Sequence, residues 1–171
     1  MSQAALLISV FSICIAALSL GWQIARWLLE GRRVKVSLRH GVAGQGGIVA
    51  GPVSANPAGS IAAMRSQGFN GPELLGIQVV NVGRLPVTVT EYTVRLRGGV
   101  VSFTPKDDAV GQPLPFRLEP GEAESWYVDI ATARTLAQAH RSMGRPGSRA
   151  IMSVQLGTKQ EKRTRQSLQV M

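Results

Sequence analysis

Acidic residues are scarce. Ten Asp and Glu stand against 19 Lys and Arg in 171 residues, a formal net charge of +9. That surplus attracts anionic partners such as nucleic acid, acidic protein or anionic lipid, and selects none of them. Cysteine occurs once, at Cys14, which excludes a disulfide framework and any cysteine-based zinc site. The only histidines, His40 and His140, are too far apart in sequence to form a local metal-ligand pair. No aromatic residue follows Tyr127, so the basic C-terminal segment lacks the stacking platforms that single-strand nucleic-acid binding uses. Charged residues make up only 17% of the chain and apolar ones 44%, which excludes wholesale disorder.

Catalytic motifs are missing as well. The Gly-rich run Gly41-Val42-Ala43-Gly44-Gln45-Gly46-Gly47 lacks the Lys-Ser/Thr pair of a phosphate-binding loop, and Val49 stands where a dinucleotide fingerprint needs its third glycine. Asp107-Asp108 is a pair of adjacent loop carboxylates beside Lys106, too few ligands for a sheltered cation. Cys14 lies in an apolar run away from any base, and His140 has no carboxylate or cysteine at a useful spacing. These residues point to a non-catalytic protein without cofactor or metal.

What the chain does have is a long hydrophobic run. No charge occurs between Ser2 and Ala25, and 22 residues from Ala4 make about 33 Å of helix at ~1.5 Å per residue, enough for a ~30 Å bilayer core. Trp22 and Trp27 mark one end, where indoles favour the headgroup layer, and Arg26 can snorkel towards it. A cleaved signal peptide would need a basic start and a small-x-small cleavage site, and neither is present. Residues 1–33 therefore read as a retained anchor with a basic juxtamembrane segment. Arg26, Arg32, Arg33 and Lys35 follow the run and no basic residue precedes it. The charge rule then predicts a single-pass protein with its N-terminus outside and the following domain cytoplasmic. Arg26, Arg32, Arg33 and Lys35 are candidate contacts to anionic lipid at that surface.

Polar residues in the run fall on one stripe. Ser9, Ser12, Ala16, Ser19 and Gln23 recur at steps of three and four, a seam suited to helix–helix contact with a partner span or a second copy. The competing reading is that each serine returns its hydroxyl bond to its own helix.

After Gly31 the periodicity changes to two. Val34, Val36 and Leu38 alternate with Lys35, Ser37 and Arg39, and Leu75, Ile77 and Val79 repeat the pattern. The apolar phase slips near Glu91, which predicts a bulge. Trp126 and Val128 face one way and Tyr127 the other, and Met152, Val154, Leu156, Leu168 and Val170 continue the set. About seven short strands between turn signals predict a mainly β domain over 34–171, an immunoglobulin-like β-sandwich. One short helix interrupts it, with Asp129 as N-cap, Ala133, Leu136, Ala137 and His140 on one face, and Gly144 as stop. Residues 41–72 hold eight Gly and three Pro and read as a long, weakly ordered loop or a lid, with at most a turn or two of helix near Ile61. Lys159, Lys162, Arg163 and Arg165 form a second basic cluster on a C-terminal hairpin, a possible phosphate grip.

The run Leu75-Gly76-Ile77-Gln78-Val79-Val80-Asn81-Val82-Gly83, followed later by Leu118-Glu119-Pro120-Gly121-Glu122, resembles bacterial immunoglobulin-like modules of the CARDB type. They share a strand ending in Asn-x-Gly and a later Leu-x-Pro-Gly turn. The resemblance covers about residues 74–130. It implies a sandwich fold and an adhesive or scaffolding role.

The expectation is thus a membrane-anchored sandwich that binds lipid at its base and docks a protein partner at the inner leaflet. An exported or surface-exposed adhesion or envelope module is the alternative, and a membrane-tethered nucleic-acid or anionic-lipid binder is the third reading.

Overall fold

The computed structural model describes residues 3–29, 33–106, 110–145 and 148–170, with residues 27–29 described by backbone alone. Helix α1 (Gln3–Leu29) runs without interruption for 27 residues, about 40 Å at ~1.5 Å per residue. Its segment Gln3–Arg26 is long and apolar enough to cross a membrane, and its most apolar stretch is entirely unburied. Leu7, Phe11, Leu18 and Trp22 all stand exposed on it.

Two antiparallel sheets form the remainder, a β-sandwich. The first has the order β2-β1-β3-β7, built from β1 (Val34–Gly44), β2 (Gly47–Pro52), β3 (Glu73–Asn81) and, later in the chain, β7 (Ala123–Asp129). The second has β4 (Val87–Leu96) at its centre. On one side β4 pairs β5 (Ser102–Phe103) and β6 (Phe116–Leu118); on the other it pairs β8 (Arg149–Leu156), which carries β9 (Glu161–Arg163) and β10 (Leu168–Gln169). Helix α2 (Pro57–Ser66) follows β2 and helix α3 (Ile130–Ser142) follows β7.

The inward faces are those the alternation predicts: Leu38, Leu75, Ile77, Val79, Trp126, Met152, Val154 and Leu168 are buried in one cluster. Trp126 lies at its centre, edge-on to Phe116 and tilted against Tyr92, and its indole N–H donates to the Gln112 carbonyl at 2.8 Å. The phase slip is a bulge in β4. Val89 opposes Leu156 and Glu91 opposes Gln155, so Thr90 is the extra residue. That one insertion turns Tyr92, Val94 and Leu96 inward after Val87 and Val89. Asp129 caps α3, accepting from the Ala131 N–H at 2.7 Å, and Ala133, Leu136, Ala137 and His140 form its buried face.

Residues 41–72 correct the expectation of a loose loop. β1 continues to Gly44, and a two-residue turn at Gln45-Gly46, with Gly46 at φ +84°, returns the chain as β2 in register from Gly44↔Gly47 to Arg39↔Pro52. The glycines are there for close approach: a Cβ on Gly41 would lie 2.1 Å from the Val49 carbonyl oxygen. Asn56 then caps α2, its side chain accepting from Gly59 N–H at 3.0 Å, with Pro57 preset for the first helical position. Among the described residues the domain therefore carries two short helices rather than one.

The resemblance-bearing motifs meet at one buried side chain. Asn81 is fully buried. Its amide nitrogen donates to the carbonyls of Leu85 (2.9 Å) and Leu118 (3.1 Å), and its amide oxygen accepts from Gly83 N–H (3.0 Å). Its backbone N–H donates to Glu122 and its carbonyl accepts from Gly121. The Asn-x-Gly and Leu-x-Pro-Gly segments are thus the two halves of one hydrogen-bonded joint between β3, β4, β6 and β7.

Candidate functional site

β2 pairs only the second half of β1, from Arg39 onward. The first half, Val34 to Leu38, pairs β3 on one side and has no strand on the other among the described residues. Along that open edge runs a groove of about 700 Å³, lined on one side by Arg33 and by Val34 to Ser37 of β1, and on the other by Lys162 and Arg163 of β9 and by Arg165 and Gln166 just after it. Arg33 and Lys35 near the start of β1 and Lys162, Arg163 and Arg165 near the C-terminus, about 130 residues apart in sequence, therefore line two walls of one groove.

Local bonding sets the second wall. Thr164 is buried, donating its N–H to the Met152 carbonyl and its hydroxyl to the Gln166 carbonyl. With Thr164 turned in, its neighbours Arg163 and Arg165 are exposed. Glu161 takes one arginine on each oxygen, Arg95 at 2.8 Å and Arg163 at 2.7 Å. The hydrogen bond from Arg163 is the main cause that holds the Glu161 carboxyl below its ordinary range; partial burial opposes it, and a Ser153 hydrogen bond and the charges of Arg163 and Arg95 assist. Arg163 is correspondingly raised by Glu161. Lys35, Lys162 and Arg165 have no carboxylate partner among the described residues.

Lys159 does not join them. It occupies the turn after β8 at φ 60° and is absent from the groove lining. Arg32 and the Asp107-Asp108 pair lie outside the described residues, and Arg26 is exposed on α1. On α1 itself, Ser9, Ser12, Ala16, Ser19 and Gln23 hold to one stripe of an unbroken helix, an arc of roughly 80° at ~3.6 residues per turn. Ser9 and Ser12 donate their hydroxyls to the carbonyls of Ala5 and Ile8, each at 2.9 Å, leaving only acceptor lone pairs for a neighbour.

Sequence reasoning missed a second polar cluster. His40 Nε2 and Glu73 Oε1 are 2.7 Å apart, and Arg134 donates to the other Glu73 oxygen at 2.8 Å. This chain of contacts fastens α3 to the first sheet beside a cavity of about 530 Å³ that α2 closes with Ile61 and Arg65. Three residues so distant in sequence leave no local motif. It also missed Thr164 and Gln166: Thr164 is the one buried residue among Lys162-Arg163-Thr164-Arg165-Gln166, and its short uncharged side chain between two arginines was the available signal. His140 is buried beneath the Gly98-Gly99 turn, and both its ring nitrogens lack a protein partner among the described residues.

Set beside known proteins, the chain matches no protein-family model and no curated sequence.

Proposed function

We propose that the chain is a single-pass membrane protein whose β-sandwich lies against the inner leaflet and docks a protein partner there, without catalysis. One observation carries the reading: two basic segments converge on a groove whose floor is an unpaired strand edge. That groove begins at Arg33, four residues after α1 ends at Leu29, hence within ~15 Å of the helix by chain reach. At that distance exposed Lys35 lies within reach of anionic headgroups. Open strand edges recruit protein segments by strand addition, and the likeness to CARDB-type modules points the same way. The polar stripe of α1 adds a second contact, to a partner span or a second copy.

Topology is the test. A cysteine at Gln160, exposed beside Lys159 in the same turn, is introduced with Cys14 replaced, and intact cells are treated with a membrane-impermeant thiol reagent. Protection until lysis is expected. Labelling of intact cells overturns the inner-leaflet placement and makes the exported module the better reading.

A further inference from the structure

We infer that the open half of β1 takes an extended acidic peptide segment as an added antiparallel strand. This deepens the docking role proposed above and rests on it.

The argument starts from backbone direction. Leu38 donates its N–H to Gln166 Oε1 at 3.3 Å, on the groove side, whereas the Arg33 carbonyl accepts from Val82 and Gly83, on the β3 side. Antiparallel pairing alternates hydrogen-bonded and non-bonded positions, so the N–H and C=O groups of Val34 and Val36 point with Leu38 into the groove. Those two residues present two donors and two acceptors about 6.5–7 Å apart at ~3.3 Å rise per residue. Gln166 closes the far end by occupying the Leu38 donor, just before β2 takes over the edge at Arg39. The vacancy is therefore four to five residues long.

Charge selects the occupant's side chains. Lys35 stands on one wall and Lys162 and Arg165 on the other, none with a carboxylate partner among the described residues, and the described lining holds no carboxylate. Partly buried Val34 and Val36 supply an apolar floor. Carboxylates at alternate positions of an added strand meet these cations. The acceptors decide against a phosphate headgroup: the Val34 and Val36 carbonyls need N–H donors, which a lipid phosphate lacks and a peptide backbone provides.

The test uses full-length protein in phosphatidylcholine nanodiscs and a fluorescent octapeptide alternating glutamate and valine, with an alternating lysine and valine peptide as control. The acidic peptide is expected to bind at least tenfold more tightly than the control and to weaken with salt. Lys162→Glu with Arg165→Glu, both at exposed positions, should lower its affinity at least tenfold. Val36→Pro removes an edge-facing N–H without touching the β3 ladder and should abolish binding. In case that variant folds poorly, the peptide is modified instead: N-methylation of one alternate set of its amides should cost at least tenfold, and of the other set less than threefold. No binding, or equal effects of the two methylated sets, overturns the inference. So does binding that disappears in phosphatidylserine discs, which assigns the groove to lipid. Absence of binding while the Gln160 cysteine stays protected in cells removes this inference alone and leaves the inner-leaflet placement intact.

Discussion

Replacing Asn81 tests the joint that holds the two sheets in register. Alanine there removes three hydrogen bonds, two donated to Leu85 and Leu118 and one accepted from Gly83. Each is worth ~1 kcal/mol net, and the Leu118 carbonyl, buried with its partner gone, adds part of a ~1–3 kcal/mol desolvation cost. The expected loss is about 3–4 kcal/mol, out of the ~5–15 kcal/mol typical of a folded domain. At a urea dependence of ~2 kcal/mol per molar, the midpoint falls by about 1.5–2 M. The assay is urea unfolding of the full chain in micelles, with Trp22 and Trp27 replaced by Phe so that Trp126, the third tryptophan, is the reporter. Asn81→Asp sharpens the test. It keeps shape and the acceptor for Gly83, but at neutral pH directs a carboxylate oxygen at two carbonyls. It should be less stable than Asn81→Ala, and the gap should narrow near pH 4 as the carboxyl protonates. A midpoint shift below ~0.5 M for the alanine variant, or an aspartate variant no worse than alanine, refutes the reasoning.

Tyr92 has a buried hydroxyl with no protein partner among the described residues, and burial pushes its pKa up to about 12. Stability is then whole below the unfolded value near ~10 and falls as pH rises from there towards 12, by about 2 kcal/mol after allowing for local relaxation. Tyr92→Phe should flatten that alkaline loss in chemical denaturation at stepped pH; an unchanged profile refutes it. Glu161 is shifted the other way, so its contribution is present above the ordinary carboxylate range and lost as pH falls through its lowered folded value. Glu161→Gln should remove that acid-side dependence in thermal melts. Gly41→Ala drives a Cβ into the β2 backbone and should cost at least ~1–3 kcal/mol, read as a lowered urea midpoint. Ser12→Leu with Ser19→Leu should reduce self-association or partner capture of the span, measured by crosslinking in membranes; unchanged crosslinking dismisses the seam.

Alternation made most of the sandwich legible in the sequence alone. Leu75, Ile77 and Val79, Trp126 against Tyr127, and Met152 with Val154 each announced their face because one side of every strand is buried. The bulge at Thr90 was legible for the same reason, since a period-two pattern cannot change parity without an extra residue. Gly41 to Gly51 was not, because glycine and alanine carry little strand preference; their pairing comes from β3 and from backbones that pass too closely for larger side chains. Asn56-Pro57 did carry a helix-start signal, but the glycine-rich surroundings hid it. For the site, the cations could be read as charges but not as neighbours. Arg33 and Arg165 meet only because β1 and the segment after β9 belong to different sheets that share an edge, and no local spacing encodes that. His40, Glu73 and Arg134 are brought together in the same non-local way.

The short passage from α1 into β1 also decides how the domain bears tension. A pull directed along β1 from its first residue, Val34, loads a ladder with β3 that extends from Val34↔Asn81 to Val42↔Glu73. Ladder bonds lie perpendicular to the strands, so that pull shears many of them together instead of peeling them one by one. The strand that follows α1 is thus gripped in its more resistant direction.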